Sequence, residues 1–270
     1  MKKKKNKRLI YTTILTTLLL IVIAVSLVLG LIKLISGVKP FYESKERTEK
    51  IKKYNKTHEK TKAIGWVRVQ GTNIDYPVIY VTGNLDITRI TDDFTWVMND
   101  VDSITNYVYI LGHNIRNVSS NPLITDKNHT RFEQLPSFMY LDFAKENKYI
   151  QYTVDGKDYL YKIFSVSIVK NDELSYKTED LSKSELKEYI AKSLDNSFYD
   201  YDVDVDENDN IITLATCTRF YGATTAYTYK IDARMVRDKE KIRNYSVNEN
   251  KNYKAIKEIM EGGEKDEEEI

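Results

Sequence analysis

The sequence predicts a mostly-β domain, a barrel or a sandwich, behind an N-terminal transmembrane helix. Three observations predict it. From Ala63 to Val236, short runs rich in tyrosine, isoleucine and valine alternate with turn residues. Residues 9–35 form a long apolar stretch after a basic start. Helical spacing interrupts the strands only twice, most strongly at Ser182 to Leu194.

The elements follow in chain order. Residues 1–8 read Met-Lys-Lys-Lys-Lys-Asn-Lys-Arg, and Leu9 to Ile35 is then apolar apart from small polar residues and Lys33. That stretch exceeds a signal-peptide core and is long enough to cross a bilayer. The charge ahead of it keeps the N-terminus in the cytoplasm and places the remainder outside, as a single-pass membrane protein with an extracellular domain. A cleaved signal peptide is the competing reading, although no small-x-small cleavage site stands out. Residues 36–62, densely charged from Glu43 to Lys53, read as a helical stem and solvated spacer.

Strands are predicted at 64–69, 74–79 and 106–112, with a turn at Gly71-Thr72-Asn73 between the first two. Tyr149 to Val154 and Tyr159 to Val166 flank Asp155-Gly156, a hairpin turn signal. Ile211 to Thr216 and Tyr227 to Val236 complete the set. A short helix is predicted over Thr130 to Tyr140, despite Pro136. Ser182 to Leu194 is predicted as the long helix: Ser182 and Glu185 make a capping box, and Leu186, Tyr189, Ile190 and Leu194 recur at helical spacing. The domain is bounded at 63–238. Residues 239–270, charged and ending in Glu264-Lys265-Asp266-Glu267-Glu268-Glu269, read as a tail.

Composition narrows the function. Forty-one lysines and arginines against 40 aspartates and glutamates leave a net charge of +1, so no basic face is implied and nucleic acid is not expected as a partner. The chain has a single cysteine, Cys217, at the end of Ile211-Ile212-Thr213-Leu214-Ala215-Thr216-Cys217. It cannot form an internal disulfide, and outside the cytoplasm a spare thiol is a liability. Two readings follow, a reactive thiol or a small packed hydrophobe.

Of three histidines, His58 falls in the charged stem and His129 in a polar loop, and both read as solvated. His113 directly follows a predicted strand and shares a face with Tyr107, Tyr109 and Leu111. A titratable group at a strand end is held by the scaffold while the loop admits substrate. On the Cys217 strand, Ile212, Leu214 and Thr216 form the heavier face and are assigned to the core. Ile211, Thr213, Ala215 and Cys217 are assigned to a groove. A cysteine–histidine pair would do nucleophilic chemistry: an imidazolium stabilises the thiolate, the thiolate attacks a carbonyl, and the imidazolium protonates the leaving amine.

Three segments together resemble the sortase family. Thr213-Leu214-Ala215-Thr216-Cys217 matches the family's TLxTC pattern. Leu111-Gly112-His113-Asn114 resembles its catalytic-histidine segment, and Gly65-Trp66-Val67 with Ile74-Asp75-Tyr76-Pro77-Val78 resembles its opening strands. The helix before the Cys strand is similar to class B members. The resemblance implies an eight-stranded sortase-type β-barrel with short helices and cysteine transpeptidation. Cys217 would attack a peptide bond in a sorting signal near the C-terminus of a secreted protein and hold that protein as a thioester. His113 would act as acid and then as base. An amine of a cell-wall precursor, or a pilin lysine, would release the product, and the chemistry requires no metal or organic cofactor.

The chain departs from the family at one place. Sortases carry an arginine at the start of the strand after the cysteine, and here Thr225-Ala226-Tyr227-Thr228 occupy that region. Tyr227 is assigned as the replacement donor to substrate and oxyanion, with Arg219 second. Arg234, far along the strand, reads as a surface or structural residue. The missing arginine also supports a rival, a catalytically weak or inactive relative that binds sorting signals or aids pilus assembly. A cysteine peptidase that hydrolyses rather than transfers, and a purely structural membrane-anchored β domain, are further rivals. Specificity is assigned to loops at 80–100 and 170–178.

Overall fold

Local turn chemistry and period-two patterning build the barrel outward from its hairpins. The computed structural model describes residues 13–26, 44–59, 61–80, 94–99, 101, 103–119, 121–124, 128–171, 177–222, 226–242 and 244–251. The strands are β1 (Ala63–Val69), β2 (Asp75–Tyr80), β3 (Thr95–Val97), β4 (Tyr107–Leu111), β5 (Tyr149–Val154), β6 (Lys157–Lys170), β7 (Tyr199–Tyr201), β8 (Ile211–Cys217), β9 (Tyr227–Met235) and β10 (Val247–Glu249). Asp155 and Gly156 both take positive φ, 49° and 67°, as a two-residue hairpin turn requires, and they join β5 to β6.

Eight of these strands close a barrel in the order β1-β2-β3-β4-β8-β9-β6-β5. Every pairing is antiparallel except β2 with β3 and β4 with β8. β10 pairs with β7 in a separate ribbon. β10 lies within the stretch read as a charged tail, where Tyr245 and Val247 are buried. Residues 252–270 lie outside the described residues.

The helices are α1 (13–26), α2 (Ser44–Thr57), α3 (Leu141–Glu146) and α4 (Lys183–Asp195). Ser182 caps α4: its hydroxyl accepts from the Glu185 N–H, and the Glu185 carboxylate accepts from the Ser182 N–H at 2.9 Å. Leu186 and Ile190 of α4 pack on Tyr107, Tyr109, Ile211 and Ala215. The expected helix at 130–140 is instead a short 3-10 helix, Leu135–Met139, with Pro136 in its first turn, followed by α3. Proline fits only the first turn because it has no N–H to donate further in.

α1, the described part of the expected membrane span, exposes Leu15, Leu18, Leu19 and Leu20. Among the described residues no helix is long and apolar enough to cross a membrane. Residues 9–12 and 27–35 of that span, and the basic segment 1–8, lie outside the described residues.

The stem segment differs from a solvated spacer. α2 lies against the barrel. Lys50 Nζ donates to Asp75 at 2.8 Å, Asn55 exchanges two hydrogen bonds with the Ala63 backbone, and Tyr54 packs on the cluster of Ile79, Phe94, Trp96 and Leu111. Its charges conceal the one face that matters. Arg47 is 3% exposed, and His58 stacks flat on Tyr54 with ring centroids 3.9 Å apart.

Candidate active site

β4 and β8 run parallel, and their register sets the site. Tyr107 faces Ile211, and each next residue keeps step as far as Leu111 and Ala215. Two residues further on, the same step sets His113 beside Cys217, on strands that lie about 4.8 Å apart. Hydrogen bonds extend the register past the ladder. Gly112 N–H donates to Ala215 O at 3.1 Å, the Thr216 hydroxyl donates to Gly112 O at 2.6 Å, and Asn114 Nδ2 donates to Cys217 O at 3.1 Å.

Gly112 has to be glycine. A Cβ there would sit 2.4 Å from Cγ of Phe132, a fully buried ring. Close seating of that ring lets the Phe132 N–H donate to His113 O at 3.1 Å, fixing the backbone that carries the imidazole.

The face shared by His113 and Cys217 is the outer face of the barrel, and this corrects the assignment of residues 211–217. Ile211, Thr213 and Ala215 do not line a groove: α4 covers them, and both faces of the strand are buried through Thr216. Thr213 enters a polar network beneath the helix, where its hydroxyl and that of Tyr189 both reach Asp232 Oδ1, at 2.8 and 2.6 Å. Cys217 alone of that face is exposed.

His113, Cys217, Arg219, Tyr227, Thr228 and Asn171 line one cavity of about 290 Å³. The structure therefore brings together all four residues singled out from the sequence. Cys217 faces Thr228 across the β8–β9 ladder, so Tyr227 comes one residue beyond that pairing. Tyr227 leans on Tyr221, ring centroids 4.9 Å apart. Arg219 is exposed, and its N–H donates to Val118 O at 2.9 Å, which ties the chain after Cys217 to the loop after His113. The expected specificity loops lie mostly outside the described residues, at 81–93 and 172–176.

Several residues of this site escaped the sequence reading. Asn114 is 5% exposed and also donates to Asn117 O at 2.8 Å while accepting the Asn117 N–H. Asn117 in turn donates to Glu133 O. Burial pushes the Glu133 carboxyl up, but hydrogen bonds from the Arg116 guanidinium and the Thr130 N–H outweigh it and hold the group below the usual carboxylate range. Thr228 donates to Asn171 Oδ1 at 2.7 Å. The only sequence signal for this brace was the asparagine adjoining His113.

One further assignment is corrected and another narrowed. His129 is 4% exposed rather than solvated, in a loop that the Thr130 N–H ties to the Glu133 carboxylate at 2.9 Å. Arg234, read as surface or structural, takes the structural role: it is 2% exposed and pairs with Glu240 at 2.6 Å.

A family model described as Sortase domain matches residues 67–236, which is most of the barrel. The chain belongs to the sortase family. Sortases are cysteine transpeptidases, and this one is most like class B. It is 21% identical over 197 residues to Sortase B of Staphylococcus aureus, covering 70% of this chain and 72% of the relative. To Sortase B of Listeria monocytogenes it is 26% identical over 163 residues, covering 57% and 62%. Among solved structures, a mutant form of Clostridium perfringens sortase B superposes with a TM-score of 0.58 at 24% identity, covering 72% of this sortase and 90% of that chain.

Proposed function

We propose that this sortase is a membrane-anchored transpeptidase that cuts a sorting signal near the C-terminus of a secreted protein and passes that protein to an amine of the cell wall or of a pilin. One observation carries the reading: His113, two residues past β4, and Cys217, the last residue of β8, follow neighbouring parallel strands and open on one cavity. The basic residues 1–8 and the apolar residues 9–35 support the anchor. A relative, Staphylococcus aureus sortase B, has been solved as a substrate complex, and another comes from the type II pilus of Streptococcus pneumoniae. They lend support to a peptide substrate and make wall and pilin amines the acceptors to test.

The Cys217 thiolate attacks the carbonyl carbon of the scissile peptide bond. The oxyanion that forms takes a hydrogen bond from the Tyr227 phenol, which stands where the family has arginine, with Arg219 the second donor. Collapse breaks the carbon–nitrogen bond, and His113 gives its proton to the departing amine. The acyl group is left as a thioester on Sγ. An incoming amine attacks that thioester and loses a proton to His113, and the thiolate departs. Water in place of the amine gives hydrolysis. A neutral phenol stabilises less charge than a guanidinium, so turnover is slow.

The test is mass spectrometry of the chain incubated with a panel of sorting-signal peptides, with and without added amine. An acyl adduct is expected on Cys217 and is absent from Cys217→Ala. His113→Ala slows acylation about 10²- to 10⁴-fold, and Tyr227→Phe slows it about tenfold or more. If neither Tyr227→Phe nor Arg219→Ala slows acylation, both donor assignments fall. Binding of a peptide with no adduct at any pH would instead favour the non-catalytic reading that the missing arginine supports.

A further inference from the structure

Trp96 lies against His113, with ring centroids 4.7 Å apart and planes inclined at 52°. The sequence reading gave this tryptophan no role, and transpeptidation as written above does not use it. It is 6% exposed on a strand of three residues, directly across the ladder from Leu111, two positions before His113. Trp96, Leu111 and His113 thus share the outer face, where the imidazole is a diagonal neighbour within reach of an aromatic ring. Phe94 meets the indole edge-on at 6.2 Å, and Tyr54 of α2 packs on the same cluster. The indole is therefore fixed by its surroundings before any substrate binds.

A cation over the face of an indole is attracted by the ring quadrupole when it lies within about 6 Å of the centroid. A neutral imidazole gains less from the same contact. We propose that Trp96 is a positioning residue for His113: it seats the imidazole at the strand end and favours its cationic form, so that more of Cys217 stands as thiolate. This rests on His113 being the acid–base partner of Cys217. Among the described residues, the titratable or charged groups that share the cavity of His113 are Cys217 at the end of β8, Arg219 after it and Tyr227 on β9, and the Arg116–Glu133 pair braces the loop that follows His113. β3 brings none, and α2 brings Tyr54 to the cluster. Trp96 is the aromatic face that meets the ring.

The experiment uses the single cysteine of the full chain as its own reporter. Iodoacetamide labelling of Cys217, followed by intact mass against pH, reads the thiolate, and peptide cleavage against pH reads the acid. Trp96→Leu is expected to lower the alkaline limb of cleavage by roughly half a pH unit and to slow labelling near neutrality roughly threefold. Trp96→Phe, which keeps an aromatic face, restores most of both. Should the leucine variant fail to fold, fluorinated tryptophan incorporated in a Trp66→Phe background keeps the shape of the indole and drains its π-density. The alkaline limb then falls stepwise with each added fluorine. An alkaline limb and labelling rate that stay put in Trp96→Leu, or in the fluorinated chain, overturn the proposal. If His113→Ala cleaves at the parental rate, the acid–base assignment itself is lost. Slow cleavage by His113→Ala beside an unmoved Trp96→Leu profile removes this inference alone.

Discussion

Asn114 shows how much of a catalytic geometry can rest on one amide. Its Nδ2 holds Cys217 O and Asn117 O, and its Oδ1 holds the Asn117 N–H, all while nearly buried. The side chain thus joins the loop that starts at His113 to the backbone of Cys217. Asn114→Ala leaves buried carbonyls without donors, a loss of about 1–3 kcal/mol. The expected outcome is acylation slowed about tenfold or more with a nearly unchanged peptide KM, read by stopped-time cleavage assays. A fall in KM-dependent binding with an intact rate would contradict it. His113 and Cys217 were legible in the sequence because each ends an apolar run, and strand ends are where scaffolds present reactive groups. Asn114, Asn171 and Trp96 were not, because their roles depend on partners 57 to 103 positions away in the chain or on a ring seated from another strand.

Among elements, α4 and β9 meet through a buried polar network. Lys230 Nζ lies 3.0 Å from Asp232 Oδ2, at 5% and 0% side-chain exposure, and also reaches the hydroxyls of Tyr189 and Ser193. Burial drives the Tyr189 phenol well above its ordinary value, so it stays protonated as a donor to Asp232. Removing one partner of such a pair strands the other charge in a dry interior. Lys230→Met is therefore expected to lose about 3–5 kcal/mol of stability in urea titration. Replacing both partners with apolar residues of similar volume should recover much of that loss. α4 itself was legible, since a capping box and a repeating apolar face are local signals. That α4 would cover the outer face of β8 was not, because Ile211, Thr213 and Ala215 read as the lighter, more polar side of a half-exposed strand. The β5–β6 hairpin was equally plain from Asp155-Gly156. β3, β7 and β10, of three residues each, carry too little pattern to be seen.

At the scale of the whole molecule, closure of the barrel collects charge where β6 meets β9. Glu240 takes hydrogen bonds from Arg234 and Lys162, and the Arg234 guanidinium first, then Lys162, hold its carboxyl far below the usual range despite burial. A carboxylate with a depressed folded value stabilises the fold fully above its unfolded value, and that contribution fades as pH falls toward the folded one. Stability should therefore drop below the ordinary glutamate value of 4.5. Glu240→Gln should start lower at neutral pH and lose less on acidification. Urea midpoints across that range measure both slopes, and parallel curves for the two chains would refute the assignment.

Parallel pairing of β4 with β8 also governs when the enzyme comes alive. A 3-10 helix, α3, the β5–β6 hairpin, α4 and β7 are made between the two strands, so the imidazole emerges from the ribosome about a hundred residues before the sulfur of Cys217. Until β8 lies against β4, His113 and Cys217 do not share a cavity, so the proposed acid–base pair forms only with the barrel. The pairing that completes the cavity is thus written into strand order.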